Sequence, residues 1–374
     1  MTSKIDPEFI AQHFPSLKEM AYLNNAATGI PPIEAINAMK GYLDNRVEAL
    51  GSFEETLETF SNIRSKLTKL LGGNPSEYGF APSTSAGLNV LAHGIDYPEN
   101  SNIIICDLEF PSNYIPWQNA AKIYGAELRV MESKNGAIQL SNLIDKIDEN
   151  TRVVAISMTQ FSSGYRANIP EMAKIVHEQD AYLVADIIQA AGWQNIDLSE
   201  MGVDFAAAQA AKWLLGPIGA GFIFVNKKIL NDVKPRYMGW WGVENMHEFA
   251  YSDRIPTRDA TKFEVGSPAM IAYVGFNKSL DLLLSIPAAD RESVALENAE
   301  YLKQKLDDLN VGYYEFEEEN KSPIVSCTPD NVEDLQKELH KNNIHCSVRN
   351  GRLRVSPHFY NSKEEIDQLV AKMR

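Results

Sequence analysis

An α/β fold with a mostly parallel sheet is expected from three features of the chain. Apolar runs without alternation recur, at Asn102-Ile103-Ile104-Ile105-Cys106, Arg152 to Met158, Tyr182-Leu183-Val184-Ala185 and Phe205-Ala206-Ala207-Ala208, as strands buried on both faces of a parallel sheet require. Segments with helical spacing lie between and around them. The runs stop at polar residues such as Asp107 and Asp186, which puts carboxylates at strand ends, where ligands gather in open α/β sheets.

Taken in order, residues 1–20 read as an N-terminal segment. Tyr22-Leu23-Asn24-Asn25-Ala26-Ala27-Thr28-Gly29-Ile30-Pro31-Pro32 is then a polar, small-residue loop closed by prolines. Helical spacing runs from Ile33 to Leu71 and stops at Gly72-Gly73-Asn74-Pro75. Phe80-Ala81-Pro82-Ser83-Thr84-Ser85-Ala86-Gly87 leads into a helix at Leu88. Its hydroxyl and small residues either cap that helix or leave free amides able to hold a phosphate. Glu109-Phe110-Pro111-Ser112-Asn113 caps the helix after the strand at 102–107, and Phe161-Ser162-Ser163-Gly164-Tyr165-Arg166 is the loop after the strand at 152–158. Gly216 to Gly221 carries neither GxGxxG nor GK[ST], so it is a turn into Phe222-Ile223-Phe224-Val225 and no nucleotide loop. The loop-rich stretch that follows leaves Trp240 and Trp241 open between core and interface. A helical segment from Val274 to about Leu309, broken near Pro287, leads to strand and helix signals up to Arg374. The chain divides accordingly into a large domain over 21–260 and a linking helix with a small α+β domain over 261–374.

Composition narrows the function. The 374 residues are 44% apolar, carry a net charge of −15 and hold no run long enough to span a bilayer. Nucleic acid and anionic membranes are held by basic patches, so neither is an expected partner. The start, MTSKIDPEFIAQHF, has no charged n-region followed by an apolar stretch, so a cytoplasmic location is expected. Cys106, Cys327 and Cys346 form neither a disulfide framework nor a CxxC pair, and His247-Glu248 lacks a second histidine one turn later. No metal site is expected.

The chemistry concentrates between Ala181 and Gly221. Lys212 is a lone cation amid small and apolar neighbours, with Ala210-Ala211 before it and Trp213-Leu214-Leu215 after it. Desolvation favours the neutral amine and lowers its pKa, and such an amine can form a Schiff base. Asp186, upstream at the end of another buried run, supplies an acid. A lysine with an acid for a pyridinium nitrogen is what pyridoxal phosphate (PLP) chemistry asks of a protein.

Asp186-Ile187-Ile188-Gln189, Asp204-Phe205, Lys212-Trp213-Leu214-Leu215-Gly216-Pro217 and Gly219-Ala220-Gly221-Phe222 closely resemble the class V aminotransferase family of PLP enzymes, and the similarity extends from about Tyr22 to the C-terminus. The resemblance implies the PLP-dependent transferase fold of type I, a large domain with a mostly parallel seven-stranded sheet between helices plus a smaller α+β C-terminal domain. It implies that Lys212 carries the cofactor and Asp186 supports its ring nitrogen, the two catalytic residues. Thr84, Ser85 and Ala86 are implied at the phosphate, Phe110 over the ring, Gln189 at the ring hydroxyl and Gln209 as a further anchor. Ala27 and Thr28 line the substrate pocket by the same resemblance, and Arg354, in Arg354-Val355-Ser356-Pro357-His358-Phe359-Tyr360-Asn361, holds the α-carboxylate by two parallel hydrogen bonds. Ser267 matches the position that reaches the neighbouring subunit's phosphate, which implies a homodimer. Tyr165 and Arg166 are further pocket candidates, while Arg349 and Arg352 read as charges at a strand edge.

The chain departs from the family at several positions. Asn24 stands where an acidic residue is more common. Gln209 and Ala211 replace a hydroxyl three residues before the lysine and a histidine immediately before it. Gln209 can still donate through its amide, and the missing histidine leaves Lys212 to move protons. Phe161 occupies the position of the desulfurases' asparagine, and Cys346 precedes Arg354 by only eight positions, too few for a flexible loop carrying a nucleophilic thiol. The expected reaction is therefore transamination of a small amino acid, the freed Lys212 amine shuttling a proton between Cα and C4′. Epimerisation or β-elimination, as in selenocysteine lyases and cysteine desulfurases, is the alternative on the same scaffold. A non-catalytic protein retaining the fold is the rival from another class.

Overall fold

The computed structural model describes residues 5–48, 51–249 and 252–373. Its strands are β1 (Ala21–Tyr22), β2 (Tyr78–Ala81), β3 (Asn102–Cys106), β4 (Glu127–Met131), β5 (Thr151–Ser157), β6 (Tyr182–Asp186), β7 (Phe205–Gln209), β8 (Gly221–Val225), β9 (Val325–Cys327), β10 (Ile344–His345), β11 (Ser347–Arg349) and β12 (Arg352–Val355). The helices are α1 (Pro7–His13), α2 (Ile33–Val47), α3 (Phe53–Leu71), α4 (Thr84–Gly94), α5 (Ile115–Tyr124), α6 (Leu140–Ile144), α7 (Ile169–His177), α8 (Met270–Ser285), α9 (Ala288–Asp308), α10 (Val332–Lys341) and α11 (Lys363–Ala371). Seven strands form one sheet in the order β2-β8-β7-β6-β5-β3-β4. Only β8 runs against the others, pairing antiparallel with both β2 and β7.

Successive residues of the central strands point to opposite faces, and both faces are apolar. Ile104, Val154, Ile156, Leu183, Ala185, Ala206 and Ala208 enter a core with α3 and α8. Ile103, Ile105, Val153, Ala155, Val184, Phe205 and Ala207 enter another with α4 and α5. This two-sided burial explains why the strands read as continuous apolar runs. The expected single helical stretch from Ile33 to Leu71 is instead two helices. Gly51 at φ 103° breaks it, and Ser52 with Glu55 forms a capping box that starts α3 afresh. The break at Pro287 falls as expected, between α8 and α9.

A second, three-stranded antiparallel sheet, β11-β12-β9, has its own core with α9, α10 and α11. The N-terminal β1 pairs in parallel with β10 of this region, and Asn24 bridges to Ser356 after β12. Trp241 is buried against Phe60, whereas Trp240 is 44% exposed and stacks on Phe53. Among the described residues no helix is long and apolar enough to cross a membrane.

Candidate active site

A cleft of about 260 Å³ opens at the carboxyl ends of β5, β6 and β7 and brings Asp186, Lys212, Arg354, Thr84, Ser85 and Phe110 together. Asp186 ends β6 and is 2% exposed. Burial lifts its carboxyl to about 6, against the pull of the Ile188 amide, which donates to it at 3.0 Å, and of Lys212. Lys212 stands on the turn after β7. Burial lowers its ammonium to about 8, against the attraction of Asp186, and Arg354 and Arg349 push it the same way.

The backbone carrying Lys212 is held from several sides. Gly29 donates its amide to Ala211 at 2.9 Å, and a Cβ there would lie 2.1 Å from the Lys212 carbonyl, so only glycine permits the approach. His358 is buried, and its Nδ1 accepts from the Phe359 amide. That contact assigns the proton to Nε2, which donates to the Trp213 carbonyl at 3.0 Å. Burial holds this imidazole down at about 3, so it stays neutral. Leu215 takes φ 56°, a left-handed conformation that costs a leucine about 1–2 kcal/mol and that the surrounding contacts sustain.

At the start of α4, Ser83 caps the helix by accepting from the Ala86 amide at 3.2 Å. Helix geometry leaves the Thr84 and Ser85 amides without intrahelical partners. The buried Thr84 Oγ1 also has no partner, and Ser85 Oγ donates to Ser112 Oγ at 2.8 Å. Together they form an anion cradle on a positive helix end. Phe110 faces Lys212, whose Nζ lies 5.6 Å from the ring centroid, and meets Phe161 edge-on at 5.0 Å. Arg354 is 2% exposed; its Nη1 donates to the Phe161 carbonyl at 2.7 Å, and its buried Nε has no acceptor. Burial, then the Arg349 guanidinium, lowers Arg354 to about 9.

The remaining candidates separate. Ala27 and Gln209 line the cleft, Gln209 donating to the Pro82 carbonyl at 3.1 Å, and Ala86 uses its amide on the Ser83 cap. Thr28 is exposed and its hydroxyl is occupied by Tyr22 at 3.0 Å. Gln189 stands behind the wall, donating to the Ala26 carbonyl at 2.9 Å and accepting from the Trp213 indole at 2.8 Å. Ser267 lines a different cavity of about 760 Å³, together with Tyr237, Phe263 and Val265. Arg166 is paired with Glu292 at 2.8 Å, and Tyr165 packs on Phe316, both away from the cleft.

Sequence reasoning passed over two features. Ser112 and Arg349 line the cleft, and nothing in their local sequence separates them from an ordinary cap and an ordinary strand-edge charge. Glu109 is buried behind Phe110, accepting from the Ser157 amide at 2.9 Å and from the side chains of Ser157, Gln160 and Asn113. It ties the loop bearing Phe110 to the end of β5 and the loop bearing Phe161. Burial raises its carboxyl to about 7, against these four donors.

These groups suit pyridoxal phosphate: a free-amide cradle with an unpartnered buried hydroxyl for the phosphate, a buried carboxylate for the ring nitrogen, and a lysine with a lowered pKa for the aldehyde. Comparison with known proteins agrees. The aminotransferase class-V family model matches residues 21–369. The uncharacterized aminotransferase YcbU of Bacillus subtilis is 27% identical, covering 98% of each chain. A protein named "Probable cysteine desulfurase" from Methanothermobacter thermautotrophicus is 24% identical over 97% of this chain and 96% of its own. In fold, the apo cysteine desulfurase of Thermococcus onnurineus NA1 superposes with a TM-score of 0.89 at 23% identity, covering 99% of this chain and 98% of the other. The chain therefore belongs to the class-V aminotransferase family and is a pyridoxal phosphate-dependent enzyme.

Proposed function

We propose that the enzyme transaminates a small α-amino acid, with Lys212 as the Schiff-base lysine. The observation that carries this reading is the convergence of a lysine lowered to about 8, a buried carboxylate and a buried arginine on one cleft. Pyridoxal phosphate, when bound, supplies an electron sink for negative charge at the α-carbon. Asp186 keeps a proton on the ring nitrogen, and that positive charge in turn holds the carboxylate ionised despite its burial. The Thr84 and Ser85 amides and the nearby hydroxyls bind the phosphate, and Phe110 packs against the ring. Arg354 grips the α-carboxylate and so aims the α-hydrogen. Lys212, about half neutral at pH 8, would be the base that takes that proton and the acid that gives it back.

Ser267 belongs to a homodimer in this reading. It faces its own subunit's wider cavity, which suits a residue that serves a neighbour's phosphate. The relatives named as desulfurases favour carbon–sulfur cleavage as a second reading. A protein thiol as its nucleophile fits poorly here. Cys346 is 5% exposed inside the core of the β11-β12-β9 sheet, and burial pushes its thiol up to about 12. β-Elimination without a protein thiol needs only the parts already assigned.

The test is spectroscopic and chemical. Holo-protein should absorb near ~420 nm, as a protonated Schiff base does, and Lys212→Ala should lose that band. Incubation with amino acids should give pyridoxamine phosphate and a keto acid. A colourless protein that PLP does not reconstitute overturns the reading. Release of alanine and sulfur, or of pyruvate, ammonia and sulfide, without pyridoxamine phosphate moves it to the second.

A further inference from the structure

The antiparallel pairing of β11 with β12 sets Arg349 opposite Arg352 and Ser347 opposite Arg354, so three guanidinium groups start from one face of a short ladder. Like charges directly opposite in a sheet are destabilising. Arg352 is accounted for within the small sheet: it donates to the Ser326 carbonyl at 2.9 Å and lies over the Tyr314 ring at 3.9 Å. Arg349 and Arg354 both line the cleft. Their protein contacts are to neutral carbonyls, Arg349 to Val348 at 2.7 Å and Arg354 to Phe161 at 2.7 Å, and the buried Arg354 Nε has no acceptor. Among the described residues the one carboxylate in the cleft wall is Asp186, which the ring nitrogen uses. Apart from the phosphate assigned to the start of α4, two guanidinium groups, Arg349 and Arg354, and the Lys212 amine thus face a single acid. The α-carboxylate of a substrate matches Arg354 and leaves Arg349 unmatched.

We propose that the substrate is an α-amino acid whose short side chain ends in a second carboxylate, which Arg349 receives while Arg354 holds the first. This rests on the amino-acid chemistry proposed for the same cleft. It narrows that chemistry to dicarboxylic substrates, because a guanidinium fork binds a carboxylate with charge-assisted bonds that an amide or a methyl group cannot replace. The cleft, about 260 Å³ before the cofactor takes its share, leaves room only for a short side chain.

The experiment compares aspartate and glutamate with asparagine, glutamine and alanine on PLP-loaded enzyme. Wild type should favour the acid over its amide by about tenfold or more in kcat/KM. Arg349→Gln should bring that ratio to within about twofold, while Arg349→Lys should retain most of it. In parallel, calorimetry should show succinate binding more tightly than butyrate, with the difference lost in Arg349→Gln. Equal handling of acid and amide by wild type overturns the proposal without reference to any variant, as does a ratio unmoved by Arg349→Gln. Missing ~420 nm absorption would instead fail the cofactor reading, and the calorimetric comparison would still decide the second-anion site.

Discussion

Two cavities of the molecule are of opposite character, and the smaller one is the candidate active site. The cavity around Ser267 is about three times as large as the Lys212 cleft and is walled by Val90, Tyr237, Phe263, Val265 and Pro268. The cleft brings Asp186, Lys212, Arg349 and Arg354 into contact with one small volume. Volume and apolar lining favour docking of another protein surface, whereas desolvated charge held by neighbouring backbone shifts pKa values and favours reaction. In this chain the second property, and not size, marks the candidate active site.

The sharpest way to break this contrast is at Asp186. Asp186→Asn should keep PLP bound and lower kcat by roughly 10²–10³-fold, because a neutral amide cannot support the protonated ring. Near-normal turnover would remove Asp186 from the mechanism. Arg354→Ala should act next most strongly, raising KM by about 10-fold or more through loss of a charge-assisted pair worth roughly 1.5–3 kcal/mol; an unchanged KM would mean that the α-carboxylate binds elsewhere.

The wide cavity is tested by dilution. If a second copy covers it, PLP occupancy should fall as the protein dissociates, and Ser267→Ala should lower occupancy several-fold with the dimer intact. Sedimentation that finds a monomer of full PLP affinity would detach this cavity from function.

Glu109 tests the cleft's frame by pH. Its folded carboxyl stands at about 7 against an ordinary 4.5, so between those values the folded protein keeps a proton that the unfolded chain releases. The stability contributed by the protonated form is complete below about 4.5 and is lost as pH rises through about 7. The melting temperature of Glu109→Gln relative to wild type should therefore climb over that interval. A flat difference would mean that Glu109 is not held protonated. The smallest effect is expected from Cys346→Ser, nearly silent in turnover; sulfide release from cysteine that vanished in this variant would move the chemistry to sulfur.

Residues whose position follows from their place along the chain were legible without a structure, while the roles expected of them came from the family resemblance. Asp186 and Lys212 follow buried runs that read as strands, and Thr84 and Ser85 open a helix, and the structure brings these strand ends and this helix start to one cleft. Gln189 was not legible in the same way. Its amide is consumed by the Ala26 carbonyl and the Trp213 indole, partners 163 and 24 residues away, which no local pattern encodes. In the sequence Arg349 reads as a strand-edge charge, because its meaning depends on the register of β11 with β12. The split between α2 and α3 was missed because periodicity continues across it, while Gly51 and the Ser52 capping box act on the backbone.

The wall around Ala26 has a consequence for the newly made protein. Ser356 accepts from the Ala26 amide and, through its carbonyl, from Asn25; the Tyr360 hydroxyl donates to Asn25 Oδ1. These contacts join residues 330 to 335 positions apart. A nascent chain can complete the seven-stranded sheet, Lys212 included, while β12 is still inside the ribosome. At about 5–20 residues per second, synthesis from Lys212 to Tyr360 takes roughly 7–30 seconds. During that time the strands that carry Asp186 and Lys212 lack the wall that fixes Ala26, the His358 contact to Trp213 and the two arginines that help lower Lys212. The depressed lysine and the arginine pair therefore come into being together, and only with the last residues of the chain.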